Sequence, residues 1–242
     1  MSFQNEPIIE TKACQNCQSS FDITDTDRAF YDKVSPVFGE KKYTLPSPTL
    51  CPNCRQQRRL AQINQYYLYK NTCGLCQQSI VSRFQPESSI VNYCNVCWAS
   101  DGWDSLSYGQ EMDFKRSLFE QVGELIQKTP FQSLIGSLSN IENNAEYTNH
   151  TSEIHNSYLV TEANTIEQSY YCAHIKNSHD LMDSSFVGNS EYSYECIDSY
   201  SMYKAYFCQQ STGCRDSYFL YNCSNCDHCI GCYNLDGKSY HI

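Results

Sequence analysis

Four Cys-x-x-Cys pairs, Cys14/Cys17, Cys51/Cys54, Cys73/Cys76 and Cys94/Cys97, stand in the first hundred of 242 residues. Two intervening residues let a tight turn aim both sulfurs of a pair at one point, and a tetrahedral zinc ion takes four thiolates at about 2.3 Å. The pairs group in order into two sets, Cys14, Cys17, Cys51, Cys54 and Cys73, Cys76, Cys94, Cys97, predicting two structural Zn2+ ions. Four thiolates close the coordination shell, whereas a catalytic zinc keeps a position open for water. With no paired nucleophile and base elsewhere, the pattern points away from an enzyme. The competing reading of the sixteen cysteines is a disulfide scaffold. It fits poorly with the x-x spacing and with the absence of a charged and then apolar leader at the start of the sequence.

Other residues carry weaker signals. Cys223, Cys226, Cys229 and Cys232 follow one another at a spacing of three, which is open to three readings: buried thiols, a third zinc site, or an iron–sulfur cluster. His150, Glu162 and His174 fall twelve residues apart, as do His155, Glu167 and His179. They read either as His-Glu-His ladders for a metal or a pH switch, or as exposed turn residues that relieve like-charge stacking. Arg55, Arg58, Arg59 and Lys70, with Tyr66, Tyr67 and Tyr69 close by, could grip phosphates and stack bases. The alternative is a solvated helix face followed by a strand.

The elements that must position the thiolates are short. In the first module Cys14 and Cys17 lie on a turn, and Cys51-Pro52-Asn53-Cys54 opens a helix, Pro52 suiting its first turn and Gln56–Leu60 continuing it. A turn-borne pair with a helix-borne pair is a treble-clef layout. The second module repeats it with Cys73-Gly74-Leu75-Cys76, an extended Ile80–Phe84, and Tyr93-Cys94-Asn95-Val96-Cys97. Gly74 is expected to supply positive φ.

Beyond them lies a twelve-residue repeat. The residues Glu146, Tyr158, Tyr170, Met182, Tyr194, Tyr206, Tyr218 and Ile230 form one column. A small residue or Leu181 precedes each, and two positions on comes a column from Thr148 and Val160 to Leu220 and Cys232. Twelve residues are too few for a helical hairpin, and the Tyr, Ser, Thr and Asn content favours strands and turns. We expect a β-solenoid, with a narrow coil of twelve residues preferred over a wide one of twenty-four. Eight coils would give a rod of roughly 38 Å. Asp113–Lys128 has helical apolar spacing and is expected to cap the stack. The predicted organisation is mainly β: zinc ribbon 1 over 1–65, zinc ribbon 2 over 66–110, a capping helix over 111–130 and β-solenoid repeats over 141–242. The sequence stops just past the last repeat, which suggests truncation or a dimerising edge.

The formal charge of −10 is uneven: residues 1–130 carry 13 Lys/Arg and 14 Asp/Glu, residues 131–242 carry 4 and 13. Sequence-independent nucleic-acid binding by the whole chain is therefore disfavoured, as is a membrane span, since no run nears the roughly 20 apolar residues needed. These features predict a cytoplasmic, zinc-binding interaction scaffold with a protein partner, no membrane and no small-molecule substrate. Nucleic-acid binding through the arginine segment is the alternative.

The runs Leu-Cys-Pro-Asn-Cys-Arg-Gln-Gln-Arg-Arg-Leu, Tyr-Leu-Tyr-Lys-Asn-Thr-Cys-Gly-Leu-Cys and Tyr-Cys-Asn-Val-Cys-Trp-Ala-Ser-Asp-Gly-Trp-Asp, with the ending Asn-Cys-Ser-Asn-Cys-Asp-His-Cys-Ile-Gly-Cys-Tyr-Asn-Leu, resemble the zinc-ribbon proteins of candidate-phylum bacteria. The first module is similar to the probable zinc-ribbon, or treble-clef, domain family. The resemblance implies metal and fold rather than an activity, and members usually extend further. The CaiB/BaiF CoA-transferase label such proteins often carry finds no strand–Gly-rich turn–helix unit here.

Overall fold

The computed structural model describes residues 6–61, 63–136 and 138–242. The chain divides into two compact units, Met1–Asn64 and Gln65–Ile242.

In the first unit, β1 (Ile8–Ala13) and β2 (Ser20–Thr24) form an antiparallel hairpin. Helix α1 (Asp25–Lys33) follows at once. Its N-cap Thr24 and Asp27 exchange hydrogen bonds in a capping box, which satisfies two otherwise orphaned N–H groups. The short hairpin of β3 (Val37–Phe38) and β4 (Lys41–Lys42) leads to α2 (Pro52–Leu60). The small core is Phe21, Ile23 and three of the four cysteines.

The second unit opens with the antiparallel pair β5 (Tyr69–Thr72) and β6 (Ser79–Ser82), then β7 (Asn92–Tyr93) and the single-turn α3 (Asn95–Trp98). Trp98, Trp103 and Tyr93 pack ring on ring beside it. Next come α4 (Leu118–Lys128) and β8 (Phe131–Gln132), which runs parallel to β7. None of α4's residues is buried. What packs on the first strand of the stack is instead α5 (Ser139–Glu142). There buried Asn140 donates from Nδ2 to Thr151 at 2.9 Å.

From there the chain is the expected β-solenoid. Strands β9 (Asn149–His155), β10 (Thr161–Glu167), β11 (Ala173–Met182), β12 (Ser185–Gly188), β13 (Glu191–Tyr194), β14 (Ile197–Tyr200), β15 (Tyr203–Tyr206) and β16 (Arg215–Tyr218) stack in parallel. Every paired residue meets the one twelve positions on, as in Thr161↔Ala173 and Ser193↔Ala205. One coil is therefore twelve residues. About 6 turns lie within 149–218, and single bridges extend the pattern to Asp227↔Ser239.

Within the twelve-residue period lies a three-residue one. Every third residue from Ala145 to Cys232 is buried. Every third residue from His150 to Tyr240 has φ between +42° and +67°, and only Gly213, Gly231 and Gly237 of these are glycine. Each coil thus has four sides of three residues, with one side chain per side facing in and one left-handed residue per corner. Such residues cost about 1 kcal/mol or more each when they carry a Cβ. Inter-coil hydrogen bonds offset that cost. The corner residue donates back thirteen positions, as Gln168 N to His155 O at 3.1 Å. The residue after the inward one donates forward eleven, as Tyr170 N to Leu181 O at 2.9 Å.

The inward residue's own N–H is served by the lumen. Ser190 Oγ donates to Gly188 O at 2.9 Å and accepts from Met202 N at 3.2 Å, and Ser169, Ser178, Ser184 and Ser217 do the same at their own levels. Ile154, Val160, Ile175, Leu181 and Val187 fill the rest of the first coils. No helix among the described residues is long and apolar enough to cross a membrane.

Candidate metal centres and surfaces

Both predicted sets of thiols come together. Cys14, Cys17, Cys51 and Cys54 place their sulfurs within 4.8 Å of one another, as do Cys73, Cys76, Cys94 and Cys97. Across the pairs, Cys17 Sγ to Cys51 Sγ is 3.7 Å and Cys76 Sγ to Cys94 Sγ is 4.0 Å. Four sulfurs at about 2.3 Å from a tetrahedral ion lie about 3.8 Å apart, so both sets fit one soft cation, and neither distance is that of a disulfide.

The two sites are built alike. In the first, Cys14 N donates to Ser19 O and Gln18 N to Cys14 O, both at 2.9 Å. In the second, Cys73 N donates to Gln78 O at 2.9 Å and Gln77 N to Cys73 O at 3.0 Å. Gln18 and Gln77, each just after its second cysteine, take the positive φ of these knuckles, at 62° and 60°. The expected role of Gly74 is therefore corrected. It is absent from the positive-φ positions, and a Cβ there would lie 2.8 Å from Val91 and 3.2 Å from the Tyr93 ring. The glycine permits a close approach, with its N–H donating to Asn92 O at 2.9 Å. The other two ligands of each site belong to a helix start: Cys51 is the N-cap of α2 and Cys94 that of α3.

The electrostatics are those of a cation site. Backbone N–H groups of Cys17 and Cys51 bring Cys14 down to about 6, against the pull of burial. Burial pushes Cys73 up, but the N–H groups of Cys76, Cys94 and Leu75 overcome it and bring it to about 6. Asn16 donates to Cys54 at 3.4 Å and favours its thiolate. The crowd of Cys17, Cys51 and Cys14, together with burial, outweighs this and pushes Cys54 up to about 12. Burial and its neighbouring thiols raise Cys97 as well. Four sulfurs this close ionise together only around positive charge.

The eight remaining cysteines line the solenoid and are all buried. Each thiol bonds the carbonyl two residues back, the geometry of the lumen serines: Cys172 to Tyr170 O at 3.1 Å, Cys196 to Tyr194 O at 3.4 Å, Cys223 to Tyr221 O at 3.4 Å. Cys226 also reaches Leu235 O at 3.0 Å and Cys232 reaches His241 O at 3.5 Å. Among the described residues, the groups that gather three or more ligand atoms within 4.8 Å are the two four-cysteine sets. Neither the run Cys223–Cys232 nor either His-Glu-His column forms another. His150 Nδ1 lies 3.3 Å from Glu162, His174 bonds the Tyr66 hydroxyl and stacks on Phe186, and His179 lies 2.8 Å from Asp180 and 3.3 Å from Glu191.

The arginine segment lies on α2. Arg58 and Arg59 are exposed, whereas Arg55 donates from Nη1 to Tyr31 Oη at 3.3 Å. With Leu50 the three arginines line a cleft of about 410 Å³. Lys70 stands on β5, in the other unit.

The tyrosine column is on the outside of the stack. Tyr206 and Tyr218 stack at 5.2 Å and Phe207 and Phe219 at 5.3 Å, while Tyr194 meets Phe207 edge to face. No protein-family model matches the chain, and no curated protein matches it.

Proposed function

We propose that this protein is a zinc-stabilised docking scaffold without catalytic activity, in which two treble-clef zinc sites hold the small modules together and the β-solenoid offers its aromatic, acidic face to a protein partner. The observation that carries this reading is the closed geometry of the two four-cysteine sets, whose sulfurs lie within 4.8 Å of one another. Sets of this kind leave a metal no position for substrate or water. The modules have too few buried apolar residues to fold on packing alone, so metal binding supplies much of their stability. Kinship with the zinc-ribbon proteins of candidate-phylum bacteria and a reducing, cytoplasmic setting belong to the same reading, since all sixteen cysteines are free thiols.

Elemental analysis of protein purified without added metal tests it. Two zinc ions per chain and no iron are expected. Stoichiometric iron, or a third zinc lost on substituting Cys226 and Cys229, would move the chemistry to Cys223–Cys232.

A second reading, nucleic-acid binding, draws on the cleft lined by Arg55, Arg58 and Arg59. It requires binding to RNA or DNA at low salt, where phosphate contacts are strongest. No binding there removes it.

A further inference from the structure

Each coil contributes two adjacent outward residues to one stripe, running from Glu146 and Tyr147 to Ile230 and Gly231. Large apolar or aromatic side chains dominate it, and several are well exposed, among them Phe219 at 60% and Tyr171 at 54%. The rings pack against one another up the stack, stacked or edge to face, which fixes them at little further entropic cost on binding.

The charges in the stripe are of one sign. Its ionisable acids are Glu146, Asp183 and Glu195, and these two columns hold no Lys, Arg or His. Elsewhere on the solenoid, five acids have a histidine neighbour: Glu162 has His150, Asp180 and Glu191 have His179, and Asp216 and Asp227 have His228. Among the described residues, none of the stripe's three carboxylates has an ion-pair partner within the chain. Asp183 and Glu195 also sit one above the other on successive coils, next to the register pair Met182↔Tyr194. Like charges about 4.8 Å apart in backbone spacing repel. At its first coils the stripe meets a cleft of about 580 Å³, whose walls include Ile80, Val81, Leu134, Ile141, Tyr147 and Leu159.

We propose that this stripe is the docking track for an extended, arginine-bearing segment of a partner protein. Its guanidinium groups lie over the rings beside Asp183 and Glu195, and one apolar side chain enters the cleft. This rests on the scaffold reading and adds the partner's chemistry. A guanidinium is drawn both by carboxylates and by ring faces, and sheds its hydration more readily than an ammonium. Nucleic acid would meet the stripe's carboxylates with its own negative charge. A second copy docked stripe to stripe would bring acid against acid.

The test is fluorescence anisotropy with the zinc-loaded full chain and two labelled dodecapeptides. One has arginine at alternate positions and a single leucine, and the other has glutamine in place of every arginine. The arginine peptide should bind saturably at low salt and weaken as salt rises. The double variant Asp183→Asn/Glu195→Gln should weaken it about tenfold or more. The control Glu153→Gln/Asp198→Asn, on other sides of the coil, should leave it unchanged. Thermal melts equal to the wild type's show that these isosteric surface variants are folded. Equal binding of both peptides, lost in Phe207→Ser/Phe219→Ser, would overturn the arginine proposal and leave the scaffold reading standing. The proposal also fails if the arginine peptide does not bind, if Asp183→Asn/Glu195→Gln binds it as well as the wild type does, or if sedimentation shows a dimer that Phe207→Ser/Phe219→Ser dissolves.

Discussion

The same side chain does two jobs in this molecule. In the modules, cysteine is placed to hold a metal ion: four sulfurs converge, and backbone N–H groups favour the charged form of Cys14 and Cys73. In the solenoid, cysteine is a small polar filler that stands where serine stands in other coils and bonds the same carbonyl two residues back. What differs is the environment. Burial and neighbouring groups push Cys172 and Cys214 up to about 11 and Cys226 to about 12, so these thiols stay neutral. Identity of residue says little until its spacing and surroundings are known.

The sharpest way to break this comparison is Cys→Ser on both sides. Cys54→Ser should cost one bound metal and unfold its module, because structural zinc contributes on the order of 10–16 kcal/mol in small domains. Zinc per chain would fall by one, and new protease cleavage would be confined to 6–61. Cys196→Ser, in a column that already holds Ser184, should shift the unfolding free energy by less than about 1 kcal/mol. If the two variants behave alike, the division is wrong.

Within the lumen, shape and polarity should separate next. Ile175→Ala removes a fully buried side chain and should cost about 2–5 kcal/mol in chemical denaturation. Ser190→Ala keeps nearly the same volume but strands the Met202 N–H, while Gly188 C=O keeps its bond from Ser201 N, and should cost about 1–3 kcal/mol. A neutral Ser190→Ala would show that the serine column is only filler.

Reactivity gives a smaller, graded readout. At pH 8, alkylation of the native metal-loaded protein should leave Cys172, Cys214 and Cys226 unmodified by peptide mapping, since each is both buried and protonated. Labelling of these three before global unfolding would contradict that account.

The smallest effect is a pH dependence on the solenoid's outer surface. His179 is raised above 6.5, first by its bond to Asp180, with Glu191 adding to it. Its contribution is therefore fully present below the unfolded value near 6.5 and is lost as pH rises through the higher folded value. The His179 side chain is 39% exposed, so solvent screens the pair and the loss should be slight. It should vanish in His179→Gln when unfolding midpoints are compared at the two ends of that window.

Much of this was legible in the sequence because ligand geometry and stacking leave periodic marks. The x-x spacing located both sulfur sets, and the twelve-residue columns located the coil. The three-residue code was harder to see. Left-handed corners usually announce themselves as Gly or Asn, but here Tyr171, Glu195 and Phe207 take that conformation, held by inter-coil hydrogen bonds that no local propensity encodes. Lumen residues also mix apolar side chains with Ser and Cys down each column, so hydropathy alone does not reveal the inward face. Gly74 misled for a related reason: a glycine in a knuckle suggests φ, while its actual constraint is Val91 and Tyr93 across the fold.

The four-sided coil also gives the solenoid something like a reading frame. Loss of one residue would turn every following inward side chain outward. Loss of three would keep the lumen filled with lumen residues but carry the aromatic stripe a quarter turn around the rod, splitting it in two. Loss of twelve would only shorten the rod by a rung. Natural length variation in such a chain should therefore come in whole coils, and a three-residue deletion is the one lesion that would spare the fold while dividing the surface.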